Sequence, residues 1–355
     1  MNPSALREAA ANPTAMNPTA VNPTAIGRTP ARLSLDRLLG QVSAPRSEES
    51  HAAWESPAAS AIDREKWFVC PTCTPFYYSE IYSELPEPVA RRYNQLSAFA
   101  LNELVRFLET EIAPALLPAL ANCSEFPSEL RESFRYFAAE EEEHAEAWRE
   151  LNRAAAPELY ANTDAVFVRP PAVARAALRQ MAIRPRRFPW VVWLVLSMEE
   201  LSLAVARRSH QSGVPIEEHF LGAYHAHQRE EIRHVQLDWY AIEALRANAG
   251  PLVRWGNARF LQWILAEFFL APVRAGRRVL ERLAFEMPEF APRLSESVRA
   301  LRLLANDPRY VEALYSRNSH PITFALFDRY PEFHRFRELF AAYEAPADWR
   351  PSHVG

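Results

Sequence analysis

The sequence predicts an all-α fold, a four-helix bundle with additional C-terminal helices. Only eight of the 355 residues are glycine, which suits long uninterrupted helices. Apolar residues recur at spacings of three and four in four long segments, at residues 87–120, 127–153, 190–212 and 215–248. No segment shows the alternation of a β-strand, and there is no glycine-rich phosphate loop. Two apolar stretches, residues 252–286 and 289–343, predict further helices around the bundle.

The first 60 residues have a different composition from the rest of the chain. The tetrapeptide Asn-Pro-Thr-Ala occurs three times between residues 12 and 25, in a tract rich in proline and alanine. Such a tract is too poor in large apolar residues to form a core. We therefore expect residues 1–60 to be a disordered leader, although a short amphipathic turn at residues 32–39 could dock. The folded domain is expected at residues 61–345.

Charge and hydropathy exclude several classes of protein. The 44 acidic and 40 basic residues give a net charge of −4 and are mixed along the chain, so no basic stripe indicates nucleic-acid binding. The longest apolar run, residues 188–198, is too short to cross a bilayer. The N-terminus lacks the pattern of a signal peptide, and we expect a cytoplasmic protein without membrane association.

Three cysteines do not form a disulfide framework. Cys70 and Cys73 form a Cys-Pro-Thr-Cys motif, but a redox pair would be expected beside a strand pattern, which is missing. A zinc site would need a second pair, which Cys123 alone does not provide. The motif is therefore interpreted as structural thiols.

Glutamate and histidine recur at metal-ligand spacings on two of the predicted helices. Glu231 and His234 form a Glu-x-x-His motif, and His227 lies four residues before Glu231. On an α-helix, offsets of three, four and seven residues fall on one face, so these three side chains point the same way. A second motif, Glu141-x-x-His144, lies within the apolar face of the second helix. One such motif is a weak signal, but two on separate helices are a much stronger one.

The first and third helices each offer one carboxylate to the same interior. On a 100° helical wheel, Glu111 projects with the apolar stripe of the first helix, and Glu109 remains the alternative. An unpaired buried carboxylate is costly, so a residue at such a position needs a partner. The third helix is apolar almost all round and is interrupted by Glu199 and Glu200, of which we favour Glu200.

These residues match the way in which four-helix bundles hold a pair of iron or manganese ions. The predicted metal ligands are Glu111, Glu141, His144, Glu200, His227, Glu231 and His234. His225 could replace His227 but lies two residues off the inner line, and Glu140 is assigned mostly to the solvated face. Iron fits best because oxygen chemistry requires a redox metal, and zinc prefers fewer carboxylates.

The order Glu, Glu-x-x-His, Glu, His-x-x-x-Glu-x-x-His resembles that of the ferritin-like diiron oxygenases. Within them it is similar to the aminobenzoate N-oxygenase family, because His227 adds a third histidine that ferritins, desaturases and hydrocarbon monooxygenases lack. The resemblance spans about residues 75–340. It implies a ferritin-like fold, two iron ions cycling between Fe²⁺ and Fe³⁺, O₂ as co-substrate and a peroxo-diferric oxidant.

The same resemblance implies oxidation of a small-molecule amine toward a hydroxylamine, nitroso or nitro product, commonly in natural-product biosynthesis. It also implies an external electron donor, such as a reductase or ferredoxin, and often a homodimer. Two alternatives remain. One is a diiron C–H hydroxylase or desaturase acting on a small-molecule or carrier-bound substrate, and the other is an iron-binding scaffold without turnover. Arg229 and Arg233 flank the last motif and could bind a substrate carboxylate, although arginines there are more often solvated.

Overall fold

The computed structural model describes residues 32–44 and 61–338, apart from the side chains of residues 267–272, 305, 337 and 338. Within these ranges the regular structure is helical, which confirms the predicted all-α class, and the only β-pairing there is an isolated parallel bridge between Trp67 and Ile216. None of the described helices combines the length and the hydropathy that a membrane span requires.

The α-helices are α1 (Leu35–Val42), α2 (Glu80–Ser83), α3 (Glu87–Phe107), α4 (Ala113–Ala121), α5 (Ser128–Ala155), α6 (Pro157–Tyr160), α7 (Ala172–Ala182), α8 (Trp190–His210), α9 (Glu218–Ala247), α10 (Pro251–Glu286), α11 (Leu294–Leu303), α12 (Pro308–Leu314) and α13 (Pro321–Arg329). A π-helical segment, Leu108–Ile112, joins α3 to α4 without a break. Short 3₁₀ helices occupy Pro71–Cys73, Pro75–Tyr78, Pro288–Arg293, Leu304–Asn306 and Pro331–Glu338.

Four long helices form the centre of the molecule. Helix α3 packs on α5, α5 packs on α9, and α9 packs along α8. Every residue of α8 from Trp190 to Leu201 is buried, because the helix lies between α9 on one side and α10 and α13 on others. The predicted segments begin and end within a few residues of these helices, the first segment being formed by α3, the π-helical segment and α4 together. Helix α10 covers α3 and α8 from outside.

The predicted helical stretch at residues 289–343 is divided into short helices as far as residue 338, where the described residues end. Four of the helical segments that follow α10 begin at a proline, namely at Pro288, Pro308, Pro321 and Pro331. Proline lacks a backbone N–H and has a fixed φ, so it fits the first turn of a helix but ends the preceding one. The last α-helix in the described part of the chain, α13, packs against α8 and so comes close to the four central helices.

The expectation of a disordered leader is wrong for residues 35–42, which form α1. The Ser34 side chain accepts a hydrogen bond from Arg37 N–H and caps the helix. Leu38 and Val42 are buried against the body, where α1 contacts α5 and α9. These two apolar residues, four positions apart on one face of the helix, are sufficient to hold α1 against the body of the protein. Residues 1–31 and 45–60, including the Asn-Pro-Thr-Ala repeats, lie outside the described residues.

A buried carboxylate on α3 holds the connection between α6 and α7. The two oxygens of Glu103 accept backbone N–H bonds from Val166 at 2.8 Å, Phe167 at 2.8 Å and Val168 at 2.7 Å. The Tyr160 hydroxyl donates a fourth bond at 2.7 Å. The loop has no strand or helix partner for these N–H groups, so Glu103 satisfies backbone donors that would otherwise be buried unpaired.

We expect Glu103→Ala to lower the free energy of unfolding by about 3–5 kcal/mol, since several buried donors lose their acceptor at once. Urea unfolding followed by far-ultraviolet circular dichroism measures the change. Glu132→Ala on the exposed face of α5 is the matched control and should shift the value by less than about 0.5 kcal/mol. Equal effects of the two substitutions would show that the Glu103 bonds do not stabilise the loop.

Candidate metal centre

Two glutamates and two histidines from α5 and α9 meet in the interior. One ligand atom from each of Glu141, His144, Glu231 and His234 lies within 4.8 Å of all the others, and all four residues are buried. Glu141 Oε1 is 3.3 Å from Nδ1 of both His144 and His234. Glu231 spans the same two rings, with Oε1 3.5 Å from His144 Nδ1 and Oε2 3.4 Å from His234 Nδ1. Both carboxylates therefore lie between the two imidazoles, as bridging ligands would.

A second group shares His144 and adds residues from α9 and from the π-helical segment. Ligand atoms of Glu109, His144 and His227 also lie within 4.8 Å of one another. His227 Nε2 is 3.3 Å from Glu109 Oε1 and 2.8 Å from Glu231 Oε1. Glu231 thus contacts all three histidines, and the two groups are joined through His144.

The ring nitrogens that face the carboxylates have lone pairs for a metal when the rings lose their extra protons. His234 Nε2 lies 2.7 Å from Glu140 Oε2, and an ionised carboxylate only accepts, so Nε2 is assigned the proton. His234 Nδ1 then presents a lone pair toward the oxygens of Glu141 and Glu231. Within the described part of the chain, neither oxygen of Glu231 makes a hydrogen bond of normal geometry. Acceptor atoms that converge in a buried site repel one another unless a cation lies between them, so these residues fit a metal ion.

The pKa values of the site residues also indicate that the buried carboxylates favour positive charge beside them. Burial disfavours a charged His144, but contacts with Glu141 and Glu230 outweigh burial and raise its pKa to about 10. The pKa of His234 is raised in the same way, against burial, by Glu231 and Glu140. Burial and then the neighbouring Glu141 raise the pKa of Glu109 well above its usual value. In the metal-free protein, protons on imidazoles partly replace the cations that the carboxylates attract.

Two further glutamates hold the metal-facing histidines in place. Glu140 on α5 accepts from His234 on α9, and Glu230 on α9 contacts His144 Nε2 on α5 at 2.5 Å. Each Glu-x-x-His motif is therefore preceded by a glutamate that orients the histidine of the other helix. Such outer contacts fix the ring and its tautomer and raise its basicity as a ligand.

The assignment of Glu140 to the solvated face was wrong. The doubled Glu-Glu-x-x-His pattern at residues 140–144 and 230–234 was the signal that could have found this pair. Arg233 also takes part, because its guanidinium lies 2.5 Å from Glu140 Oε1. Arg233 is therefore engaged with the metal surroundings, which argues against its use for a substrate carboxylate.

Glu140→Gln is expected to weaken metal binding by about 10-fold, in the range found when an outer hydrogen-bond partner of a ligand is altered. Glutamine can still accept from His234 but no longer carries the charge that polarises the ring. Equilibrium titration with Fe²⁺ under anaerobic conditions measures the affinity. Glu142→Gln, an exposed neighbour on the same helix, should bind as the unaltered protein does. If both variants bind equally, the Glu140 contact has no bearing on the metal.

Glu111 is not part of the site, and the alternative Glu109 takes its place. Glu111 pairs with Arg175 at 3.3 Å and Arg179 at 2.5 Å near the surface, while Glu109 is only 2% exposed. The cause is the π-helical segment Leu108–Ile112, whose i→i+5 bonds turn each residue by less than 100°. A helical wheel drawn for a regular α-helix therefore places both residues incorrectly.

Glu200 is also not part of the site. Its oxygens accept the N–H groups of Ile322 at 2.6 Å and Thr323 at 2.9 Å, at the start of α13. Burial outweighs these bonds and raises the pKa of Glu200 to about 7. Glu199, the alternative, lines the small cavity that also contains Glu109. Because α8 is apolar on all sides, its sequence pattern does not indicate which of the two glutamates points toward the site.

His227 is the inner histidine of α9, as predicted, and His225 is exposed with its ring 5.9 Å from that of His210. His227 Nδ1 lies 2.8 Å from Ser202 Oγ, which leaves Nε2 toward the carboxylates. Burial and then the nearby His144 lower the pKa of His227 well below its usual value. The ring is therefore neutral, the form in which imidazole binds metals.

A small cavity lies beside His227. Apolar side chains from α3 and α8 form most of its wall, and polar atoms come from a few side chains. The lining residues are Leu101, Asn102, Val105, Trp148, Met198, Leu201, Ser202, Val205, Tyr224 and His227. Among these lining residues, only His227 has a side chain that can ionise near neutral pH. The free volume of the cavity, about 10 Å³, is the space that one water molecule needs, so a substrate could enter only if lining side chains move. The mainly apolar wall would favour an apolar group.

The structure thus places a buried group of glutamates and histidines, able to hold a metal ion, beside a small and mainly apolar cavity. Of the seven predicted ligands it brings together Glu141, His144, His227, Glu231 and His234, and Glu109 takes the place of Glu111. Glu199 lines the small cavity beside Glu109, while Glu200 faces away from the group. Comparisons of the chain with protein-family models, with curated proteins and with solved structures found no match.

Proposed function

We propose that this protein is a ferritin-like, non-haem diiron oxygenase. The observation that supports the proposal most strongly is the position of Glu231, which contacts three histidines in a fully buried pocket. The ligand atoms fall into two groups that share His144, and Glu231 contacts the histidines of both, so two ions would be accommodated more readily than one. The Glu-x-x-His motifs on two helices are the ligand pattern that dinuclear carboxylate proteins use.

The charge of the site also supports two divalent ions. Glu109, Glu141, Glu199 and Glu231 contribute four negative charges when ionised, which equals the charge of two Fe²⁺ ions. Carboxylate oxygens and imidazoles are suitable ligands for iron, and the pocket offers no thiolate among the described residues. Bound iron would supply the electrons for O₂ activation, and an external donor such as a reductase or ferredoxin would restore them.

N-oxygenation of an amine is the reaction that we favour. In the first step an amine, O₂, two electrons and two protons give a hydroxylamine and water, so one oxygen atom enters the N–H bond. The third histidine, His227, supports this choice through the family resemblance, and it is one of the residues that line the cavity. An uncharged cavity favours a neutral amine, and aromatic amines are neutral near pH 7. Asn102, Ser202 and Tyr224 are the polar groups that could orient it.

C–H hydroxylation or desaturation is the second candidate, because an apolar cavity suits a hydrocarbon group equally well. Desaturation removes two hydrogens, whereas N- and C-hydroxylation both add one oxygen. A ¹⁵N-labelled amine therefore separates the reactions, since only N-oxygenation shifts the ¹⁵N resonance strongly.

The experiment is to load the protein with Fe²⁺ without oxygen, reduce it, and add O₂ with a panel of aromatic amines. We expect O₂ uptake that depends on both iron and amine, together with a hydroxylamine or a more oxidised nitrogen product. Zinc-loaded protein is the control and should consume no O₂. Iron binding without amine-dependent O₂ uptake would favour the scaffold without turnover, and size-exclusion chromatography would then test for a storage cage.

A further inference from the structure

Two cysteines lie in a tight turn just before the bundle. The Cys73 N–H donates to the Cys70 carbonyl oxygen at 2.8 Å, which closes the turn around Pro71 and Thr72. A turn of this kind keeps the Cα atoms of its first and fourth residues within about 7 Å. A disulfide needs a Cα separation of about 4.4–6.8 Å. The backbone already has a shape that a bond between Cys70 and Cys73 requires.

The two thiols are reduced and in contact with each other. Cys70 Sγ also lies 3.1 Å from Thr72 Oγ1. The contact with Cys73, and to a smaller extent the one with Thr72, outweigh burial and lower the pKa of Cys70 to about 6. Contact with Cys70 and burial raise the pKa of Cys73. The pair therefore has one thiol that ionises readily and one that retains its proton, the division found in dithiols that exchange with disulfides.

The turn is fixed to the end of α8, at a distance from the metal pocket. The Cys70 N–H donates to Ser209 Oγ at 3.2 Å, ten residues and roughly 15 Å along the helix from Glu199. Cys73 lies close enough to Tyr224 to influence its hydroxyl, and the Tyr224 ring is 5.7 Å from that of Trp148. The Trp148 ring in turn lies 5.2 Å from His227. The cysteines are thus connected to the site through packed aromatic rings but share none of its ligands.

We propose that Cys70 and Cys73 form a reversible dithiol–disulfide pair whose reaction partner is another thiol–disulfide couple. The Cys70 thiolate attacks a sulfur of the partner disulfide, whose S–S bond breaks and releases one thiol. Cys73 then loses its proton and attacks Cys70 Sγ in the mixed disulfide, which releases the second thiol. In total the protein dithiol gives up two electrons and two protons, and the partner disulfide is reduced to two thiols. This use of the turn goes beyond the proposed oxygenase reaction and does not require iron.

The full-length protein is equilibrated with reduced and oxidised glutathione at a series of ratios, quenched with acid, alkylated and mapped by peptide mass. We expect a peptide linked between Cys70 and Cys73, lighter by two hydrogens, whose fraction rises with the proportion of oxidised glutathione. Cys123 should remain alkylated, and Cys123→Ser should give the same titration. The proposal is overturned if both thiols stay free at every ratio, or if oxidised protein links either of them to Cys123.

Single variants test which thiol attacks first. In Cys73→Ser the reaction should stop at a glutathione adduct on Cys70, whereas Cys70→Ser should form at least 10-fold less adduct on Cys73 under the same conditions. Equal adducts in the two variants would contradict the assigned roles. Because the measurement uses mass and is repeated on protein treated with a chelator, its outcome is separate from that of the iron and oxygen experiments.

Discussion

Glu231→Gln is expected to reduce bound iron from two ions per chain to at most one. Glu231 contacts His144, His227 and His234, so it is the side chain that both ions would share. The amide has the same shape but is neutral, and it cannot bridge two cations as a carboxylate does. Iron content after anaerobic loading and desalting, measured by elemental analysis, gives the result.

Glu111→Gln is the matched control, because Glu111 was predicted from the sequence as a ligand yet pairs with Arg175 and Arg179. This variant should retain two irons. Metal-free Glu231→Gln should remain folded, since burial already raises the pKa of Glu231 and the neutral amide avoids the cost of burying its charge. Loss of iron together with unfolding would point to a structural defect, and full retention of iron would exclude Glu231 as a bridging ligand.

Removal of the metal is expected to lower the melting temperature by about 10 °C. A ligand that binds only the folded state at 100 times its dissociation constant stabilises it by about 2.7 kcal/mol, so two such ions contribute about 5 kcal/mol. For a domain of more than 150 residues, each kcal/mol corresponds to about 2 °C or slightly more. The physical cause is the repulsion among Glu109, Glu141 and Glu231, which the ions neutralise.

Differential scanning calorimetry of chelated and Fe²⁺-loaded protein measures this shift. Magnesium should produce little change, because it binds imidazole poorly. The Glu231→Gln variant should show less than half of the shift of the parent. A melting temperature that is the same with and without iron would mean that the buried carboxylates do not bind the metal in the folded state.

The four long helices and the inward faces of two of them could be predicted from the sequence. Glu141, His144, Glu231 and His234 stand in regular α-helices with a clear apolar stripe, where spacings of three and four identify the buried face. The same stripe places His227 inside and His225 outside.

The other two helices contain features that such spacing does not describe. In the π-helical segment Leu108–Ile112 the rotation per residue is smaller than in an α-helix, which changes the directions of Glu109 and Glu111. The spacing of apolar residues does not reveal this change in backbone hydrogen bonding. On α8 the choice between Glu199 and Glu200 depends on α13, which packs there from more than 100 residues later in the chain. Glu140 was missed because its partner, His234, lies on a different helix. In each case the deciding contact is long-range or depends on backbone geometry.

The central claim is that two iron ions lie side by side among these carboxylates and imidazoles. Diffraction from iron-loaded crystals, recorded on both sides of the iron absorption edge, tests it directly. We predict two anomalous peaks per chain about 3.5–4 Å apart, in contact with Glu109, Glu141, Glu231 and the three histidines. A single peak, or peaks located away from this pocket, would contradict the account.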